Sequence, residues 1–241
     1  MKYIFFVMLT FFFFQVPLLG MADMKKAENM MRHFQFKEAV KEYTIDANEG
    51  NLLAQTCLCD LYSTGMMGKK KKKEGVLWCI KAAEQGFAPA QAKLSKIYEA
   101  GVVGKKDYEA AKKWLTLATE QGYSPAQVQL GKKYGTGKSF LEKNYEKAHK
   151  WIELAANQGD LDATDFLSVY YEYGYGVPKD PVKSLMWFEI TLALMEKDWN
   201  PKGTEKVRSK KRSKLTPEQI TAAQDMAKDW VLNFRKEVIS K

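Results

Sequence analysis

Near-copies of one pattern run through the chain and constrain its fold more than any other feature. Glycines recur at intervals of 36, 36 and 37 residues, at Gly50, Gly86, Gly122 and Gly159. Tyrosines keep the same intervals, and tryptophans recur every 36 or 37 residues, at Trp78, Trp114, Trp151 and Trp187. A fixed period in this range indicates a stack of similar units, each burying its apolar face on its neighbours.

The unit from Phe87 to Gly122 shows what each copy is predicted to look like. Its first half has apolar residues at helical spacing, at Ala90, Leu94, Ile97 and Tyr98. Asp107 then suits the N-cap of a second helix, because its carboxylate can accept from N–H groups of the first turn. Gly122 suits the end of that helix, where the backbone turns left-handed. Each copy is therefore predicted to be two antiparallel helices joined by a loop.

Two sets of repeated residues are predicted to form the core. Small residues recur where the paired helices must approach closely, at Ala54, Ala90, Ala126 and Ala163. The tryptophan of each second helix is the large side chain of the same stripe. A tryptophan in a repeated helical stripe is far more often a core residue than part of a ligand cage.

Three motifs stand out, and several of their positions recur in register over roughly residues 34 to 190. They are Leu130-Gly131-x-x-Tyr134, Gly174-Tyr175-Gly176-Val177-Pro178-x-Asp180, and the run from Trp78 to Gln91. These motifs resemble the Sel-one-like repeat family, a relative of the tetratricopeptide repeats. The resemblance implies an all-α solenoid of stacked antiparallel helix pairs that serves as an interaction scaffold, and it brings no catalytic residues. The tail from Leu215 to Trp230 resembles the terminal helix that closes such arrays in bacterial members.

The repeat boundaries predict three regions. Residues 1–22 form a signal peptide, residues 23–200 the helical repeat solenoid, and residues 201–241 a basic connector and a C-terminal capping helix. The units of the solenoid are predicted near 23–50, 51–86, 87–122, 123–159 and 160–198. In the tail, Thr216, Pro217 and Gln219 predict a capped helix start. An apolar stripe then predicts packing against the last repeat, at Ile220, Ala223, Ala227, Trp230 and Phe234.

The N-terminal segment has the composition of a secretory signal peptide. Met1-Lys2 gives a short basic start, an apolar run extends from Tyr3 to Leu19, and Gly20-Met21-Ala22 is a small-residue exit. We expect cleavage after Ala22 and a periplasmic or secreted bacterial protein with no integral membrane span after cleavage. The alternative is an uncleaved anchor in the inner membrane, because the apolar run is near the minimum length for a bilayer span.

The net charge of +9 is concentrated in two stretches. Their candidate anion-binding residues are Lys69, Lys70, Lys71, Lys72, Lys73, Arg208, Lys210, Lys211 and Arg212. An anionic surface is one possible partner, and the alternative is a solvated loop and a charged connector. Nucleic acid is not an expected partner, because export removes the protein from it and the second stretch has almost no aromatic residues for base stacking.

Three cysteines, Cys57, Cys59 and Cys79, fall in one unit. Export would permit a disulfide between Cys79 and one of the other two. Buried thiols are the favoured interpretation, because no other unit has cysteines at these positions. A metal site is not expected, since Cys57-x-Cys59 lacks the spacing typical of zinc ligands.

No residue pattern supports catalysis or calls for a cofactor. Gly135-Thr136-Gly137-Lys138-Ser139 lacks a further glycine that a phosphate-binding loop needs, and it lies between two predicted helices. His33 and His149 belong to distant units, and His149 is expected at the surface or edge of its helix. With no nucleophile, base and orienting group in view, the chain is not expected to be an enzyme. An enzyme acting on cell-wall or peptide substrates is the least favoured function.

The leading hypothesis is an exported scaffold that binds a protein or peptide, because repeat arrays offer an extended concave surface. First-helix residues expected to be exposed on that surface are the candidate contacts: Lys93, Lys96, Lys132 and Lys133. The alternative from a different class is an anion-binding envelope module that acts through the two lysine-rich stretches.

Overall fold

The computed structural model describes residues 21–65, 71–102, 104–195 and 203–240. All but the last two residues of the predicted signal peptide lie outside these ranges. Within them the chain forms 12 helices and no strands, which confirms the predicted all-α fold of helix pairs. The helices are α1 (Met21–Arg32), α2 (Phe36–Asn48), α3 (Leu52–Ser63), α4 (Lys72–Glu84), α5 (Ala88–Ala100), α6 (Tyr108–Glu120), α7 (Ser124–Thr136), α8 (Tyr145–Ala156), α9 (Leu161–Tyr173), α10 (Pro181–Leu194), α11 (Thr204–Arg212) and α12 (Pro217–Ile239).

Repeated capping residues set the bounds of the helices. The Asp107 carboxylate accepts a 2.9 Å hydrogen bond from the Ala110 N–H at the start of α6, as predicted. Asn144 and Asp180 do the same for α8 and α10. Gly122 follows α6 with φ +77°, which confirms its predicted left-handed conformation. We call α3, α5, α7 and α9 the first helices and α4, α6, α8 and α10 the second helices of the repeats.

The chain divides into two compact units, one up to Gln85 and the other from Gly86 onward. In the first unit, α1 packs against α2, α2 against α3, and α3 against α4. Its core contains Tyr43 of α2 together with Leu58 and Leu61 of α3. Ala54 is fully buried there, as predicted for a small residue at a close helix approach.

A disulfide between Cys59 and Cys79 joins α3 to α4 in the first unit. The Cα atoms lie 5.2 Å apart, within the usual range for a disulfide. The expectation of buried thiols was therefore wrong for these two residues. Cys57 precedes Cys59 by two helical positions, which turns it to another side of α3. Its thiol hydrogen bonds with Tyr43 instead.

In the second unit, each first helix packs on the second helix that follows it: α5 on α6, α7 on α8, and α9 on α10. Ala90, Ala126 and Ala163 are fully buried, which confirms the predicted close approach. Glutamine pairs recur inside these repeats. The side-chain amide of Gln121 donates to Gln91 at 2.7 Å, and that of Gln158 donates to Gln127 at 2.8 Å.

The repeated tryptophans differ in burial. Trp187 is only 6% exposed and meets Trp230 edge-to-face at 5.7 Å, so the predicted core role is confirmed there. Trp78, Trp114 and Trp151 are half-buried, and the prediction holds for them only in part. Lysine ammonium groups lie over two of these half-buried rings, 5.1 Å from Trp78 and 5.5 Å from Trp114. Such lysines cover apolar surface with their stems while keeping the charge in water.

The tail closes the second unit as predicted. Thr216 and Gln219 form a capping box at the start of α12, with Pro217 in the first turn. α12 then packs against α10 and buries Ala223, Ala227 and Val231. Among the helices in the described ranges, none combines the length and hydropathy of a membrane span.

Candidate functional site

The candidate partner-binding lysines lie on α5 and α7. Lys96 and Lys132 are exposed, and Lys93 is half-buried. The Lys132 ammonium lies 3.1 Å from the Asp162 carboxylate and 4.7 Å from the centre of the Phe166 ring. Lys132 therefore links α7 to α9.

Lys133 was expected to be exposed, and this was wrong. It is 8% exposed, and its ammonium forms an ion pair with Glu99 of α5. A signal for this burial was present in the sequence, because the same repeat position carries apolar residues in the other units. Those residues are Leu61, Ile97 and Tyr170, all buried. The charge of Lys133 joins neighbouring first helices and is not directed to solvent.

The glycine-rich segment after α7 is an inter-helix turn, as predicted. α7 ends at Thr136, Gly137 adopts φ +63°, and the Ser139 hydroxyl hydrogen bonds to Glu99. Burial opposes ionisation of the Glu99 carboxyl. The hydrogen bonds from Lys133 and Ser139 outweigh it and lower the pKa of Glu99.

The first lysine-rich stretch is only partly within the described residues. Lys69 and Lys70 lie outside them. The Lys71 ammonium is 2.6 Å from Glu74, Lys72 is half-buried and Lys73 is exposed. Anion binding by this stretch stays a prediction.

Most of the charged groups of the second basic stretch form ion pairs within the protein. On α11, Arg208 and Arg212 both pair with Glu189 of α10, at 3.1 and 3.3 Å. Lys211 is 6% exposed, and its ammonium lies 2.7 Å from Glu172. The predicted connector is therefore largely a helix fixed to α9 and α10 by ion pairs.

The Lys211 contact repeats the Lys133 contact. Glu172 occupies in the last repeat the position that Glu99 occupies in an earlier one. Each carboxylate pairs with a buried lysine from the helix beside it. α11 is thus joined to α9 by the same kind of ion pair that joins α7 to α5. Sequence reasoning missed this role because α11 lacks the repeat motif.

A cleft of about 220 Å³ opens between α9 and α11. Val169 and Tyr173 of α9 line one wall, Val207 of α11 lines the other, and Phe188 of α10 lies between them. Asp165 lies on the α9 rim and Lys210 on the α11 rim. Tyr173 is 50% exposed and stacks on Tyr175 at 5.7 Å. The cleft combines apolar walls with opposite charges on its two rims.

His149 was expected at a surface or edge, and this was wrong. It is 7% exposed, because its side of α8 lies under α9, where Tyr171 meets the imidazole edge-on at 5.6 Å. Its Nδ1 lies 3.9 Å from Glu153, and within the described ranges no hydrogen-bond partner reaches Nε2. Burial lowers the pKa of His149. No group of three or more His, Cys, Asp or Glu side chains in the described chain is placed to hold a metal ion.

Paired helices in tandem, joined by recurring caps and closed by a terminal helix, define a helical repeat protein. The Sel1 repeat model matches residues 52–87, 88–123, 124–160 and 161–191, more than half of the chain. The chain belongs to the Sel1 repeat family, which confirms the resemblance seen in its motifs.

A solved Sel1 repeat structure supports this fold. The chain is similar to a Sel1 repeat protein from Oxalobacter formigenes, with 28% identity and a TM-score of 0.64 over 86% of this chain and 87% of that chain. A protective antigen of uropathogenic Escherichia coli with an SLR fold shares 24% identity and has a TM-score of 0.46. The match covers 89% of this chain and 54% of that chain. An immunity protein from Pseudomonas aeruginosa shares 21% identity and has a TM-score of 0.41. The match covers 72% of this chain and 81% of that chain. Comparison with curated proteins gives no match.

Proposed function

We propose that the mature chain is an exported, non-enzymatic scaffold that binds a protein or peptide partner. The proposed surface is the first-helix face, which we define as the exposed sides of α5, α7 and α9 in the second unit. The observation that carries the proposal is the direct linkage of these helices. Gln129 of α7 donates to Ser95 of α5 at 3.3 Å, and Lys132 of α7 pairs with Asp162 of α9. Neighbouring first helices thus present one continuous face.

The side chains on this face suit a protein partner. Lys96 and Asp162 offer charges of both signs, and Tyr173 offers a half-exposed aromatic ring. Protein interfaces typically combine a polar rim with aromatic contacts. The lysines proposed as contacts are Lys93, Lys96 and Lys132, since Lys133 is buried.

The proposal places the protein in the periplasm or outside the cell. The Cys59–Cys79 disulfide supports this location, because disulfides persist in oxidising compartments and are rare in the cytosol. The basic, apolar and small-residue segments of the N-terminus support it independently.

The test is a crosslinking pull-down from envelope fractions with the wild type and Lys96→Glu. Lys228→Glu, a matched charge reversal on the exposed side of α12, is the control. We expect a reproducible protein partner with the wild type and the control, and a clear loss with Lys96→Glu. Equal recovery with both variants, or no reproducible partner with the wild type, would contradict the proposal.

A further inference from the structure

We propose that the cleft between α9 and α11 receives a partner segment in which a large apolar residue lies between a basic and an acidic residue. This inference rests on the proposed scaffold function and specifies the chemistry of the partner. The apolar side chain would enter the cleft, the basic group would pair with Asp165, and the acidic group would pair with Lys210.

The walls of the cleft are apolar and accessible. Val207 is 43% exposed and Tyr173 is 50% exposed, whereas Phe188 between them is 8% exposed. The space of about 220 Å³ suits one large side chain. Apolar surface that a partner covers contributes roughly 25 cal/mol per Å². The walls therefore favour an aliphatic or aromatic side chain over a polar one.

The charged groups at the bottom of the cleft pair with one another. The Lys211 ammonium is 2.7 Å from Glu172 and 2.8 Å from the Ser184 hydroxyl. Lys214 lies 2.8 Å from the second oxygen of Glu172. These contacts lower the pKa of Glu172 against the opposing effect of its burial. The charged groups at the bottom of the cleft are therefore already paired with one another.

The rims differ from the bottom. From the described part of the chain, no ion pair or hydrogen bond reaches the Asp165 carboxylate or the Lys210 ammonium. Burial raises the pKa of Asp165, with Lys211 opposing the rise and Asp162 adding to it. A partner cation would stabilise the ionised Asp165, and a partner anion would do the same for Lys210.

The two rims together select for a mixed sequence. A wholly basic segment would gain at Asp165 and be repelled at Lys210, and a wholly acidic one would meet the reverse. Like-charge contacts of this kind disfavour wrong partners, and matched contacts attract right ones. A segment with opposite charges on either side of an apolar residue satisfies both rims at once.

The test is an NMR titration of the mature protein with two probes, acetyl-Ala-Arg-Leu-Glu-Ala-amide and acetyl-Ala-Glu-Leu-Arg-Ala-amide. The two orders cover both directions in which a peptide can lie. We expect saturable shifts of the Val169 and Val207 amides with at least one probe. Replacing the arginine of that probe by neutral citrulline is expected to weaken binding about two- to fivefold, the usual effect of losing an ion pair to an exposed carboxylate.

Two protein variants complete a double-mutant cycle. Asp165→Asn is expected to weaken binding of the arginine probe and to abolish the difference between arginine and citrulline. Lys210→Gln is expected to abolish the difference in affinity between the probe that contains glutamate and the same probe with glutamine in its place. Asp225→Asn, the same charge change on the exposed side of α12, is expected to change neither.

Absence of shifts with both probes, or shifts that the rim variants leave unchanged, would overturn the cleft assignment. The envelope pull-down separates this failure from failure of the proposed function. A partner that the wild type recovers and that Asp165→Asn recovers equally well would support the scaffold function and contradict the assignment of binding to the cleft. Probe binding with no envelope partner supports the cleft chemistry and removes the cellular scaffold role.

Discussion

Removing the Cys59–Cys79 disulfide should destabilise the protein by an amount that follows from its loop length. The bridge joins residues separated by 20 positions. A cross-link of that span removes loop-closure entropy from the unfolded chain, worth about 3.3 kcal/mol at 25 °C. This is a large share of the roughly 5–15 kcal/mol that stabilises a typical domain. For a chain of this size we expect the Tm to fall by roughly 10 °C.

The assay is thermal unfolding of Cys59→Ala/Cys79→Ala and of the wild type, each with and without a thiol reductant. Cys57→Ala is the matched control, because it removes a cysteine from the same helix without breaking the bridge. Reductant should lower the Tm of the wild type and the control but leave the double variant unchanged. A wild type indifferent to reductant, or a control that loses as much as the double variant, would refute the reasoning.

Three further predictions follow from the second unit. Gly131→Ala should cost about 1–3 kcal/mol in urea unfolding, because the added methyl would lie 2.7 Å from an Ile152 side-chain carbon; a more stable variant would contradict this packing. Lys211→Ala should cost about 1.5–3 kcal/mol by the same assay, because it removes a charged hydrogen bond from Glu172, which keeps Lys214, whereas Lys228→Ala should be nearly neutral. His149 has a lowered pKa in the folded state, so the stability from burying its neutral form is present above about pH 6.5 and lost as the pH falls below it. Tm values between about pH 7.5 and 5 should therefore fall less steeply for His149→Gln, and parallel curves would argue against this role.

The helices and their pairing could be predicted because their signals are local and repeated. Asp107 as N-cap, Gly122 after the helix end, and the capping box of Thr216 and Gln219 all act within a few residues of chain. Periodicity then identifies the buried alanines without any knowledge of the neighbours, since each copy must bury the same stripe.

The disulfide was the less favoured interpretation of the sequence because its signal lies in a comparison between units and not in the cysteines themselves. Cys59 and Cys79 occupy the positions that Gly131 and Ile152 occupy in a later repeat. In that later repeat a Cβ on Gly131 would clash with Ile152, which shows how closely the two helices approach there. Two cysteines at such an approach are within disulfide reach.

The ion pairs could not be predicted from local sequence. Lys133 and Glu99 are 34 residues apart, and Lys211 and Glu172 are 39 apart. Their pairing depends on how neighbouring helices align, which periodicity does not specify. A lysine on a helix is predicted to be exposed unless the equivalent position in the other repeats is apolar. α11 is not part of a repeat, so no equivalent positions exist for comparison. The cleft could not be predicted for the same reason, since one wall comes from a repeat helix, α9, and the other from α11, which lies outside the repeats.

The first-helix face can be tested directly by site-specific photocrosslinking in cells that export the protein. A photoreactive residue at position 96 or 132 would report contacts of first helices, and one at position 112 or 150 would report contacts of second helices. We predict partner adducts from positions 96 and 132, and few or none from positions 112 and 150. Adducts from the second helices alone, or at equal yield from all four positions, would contradict the assignment of partner binding to the first-helix face.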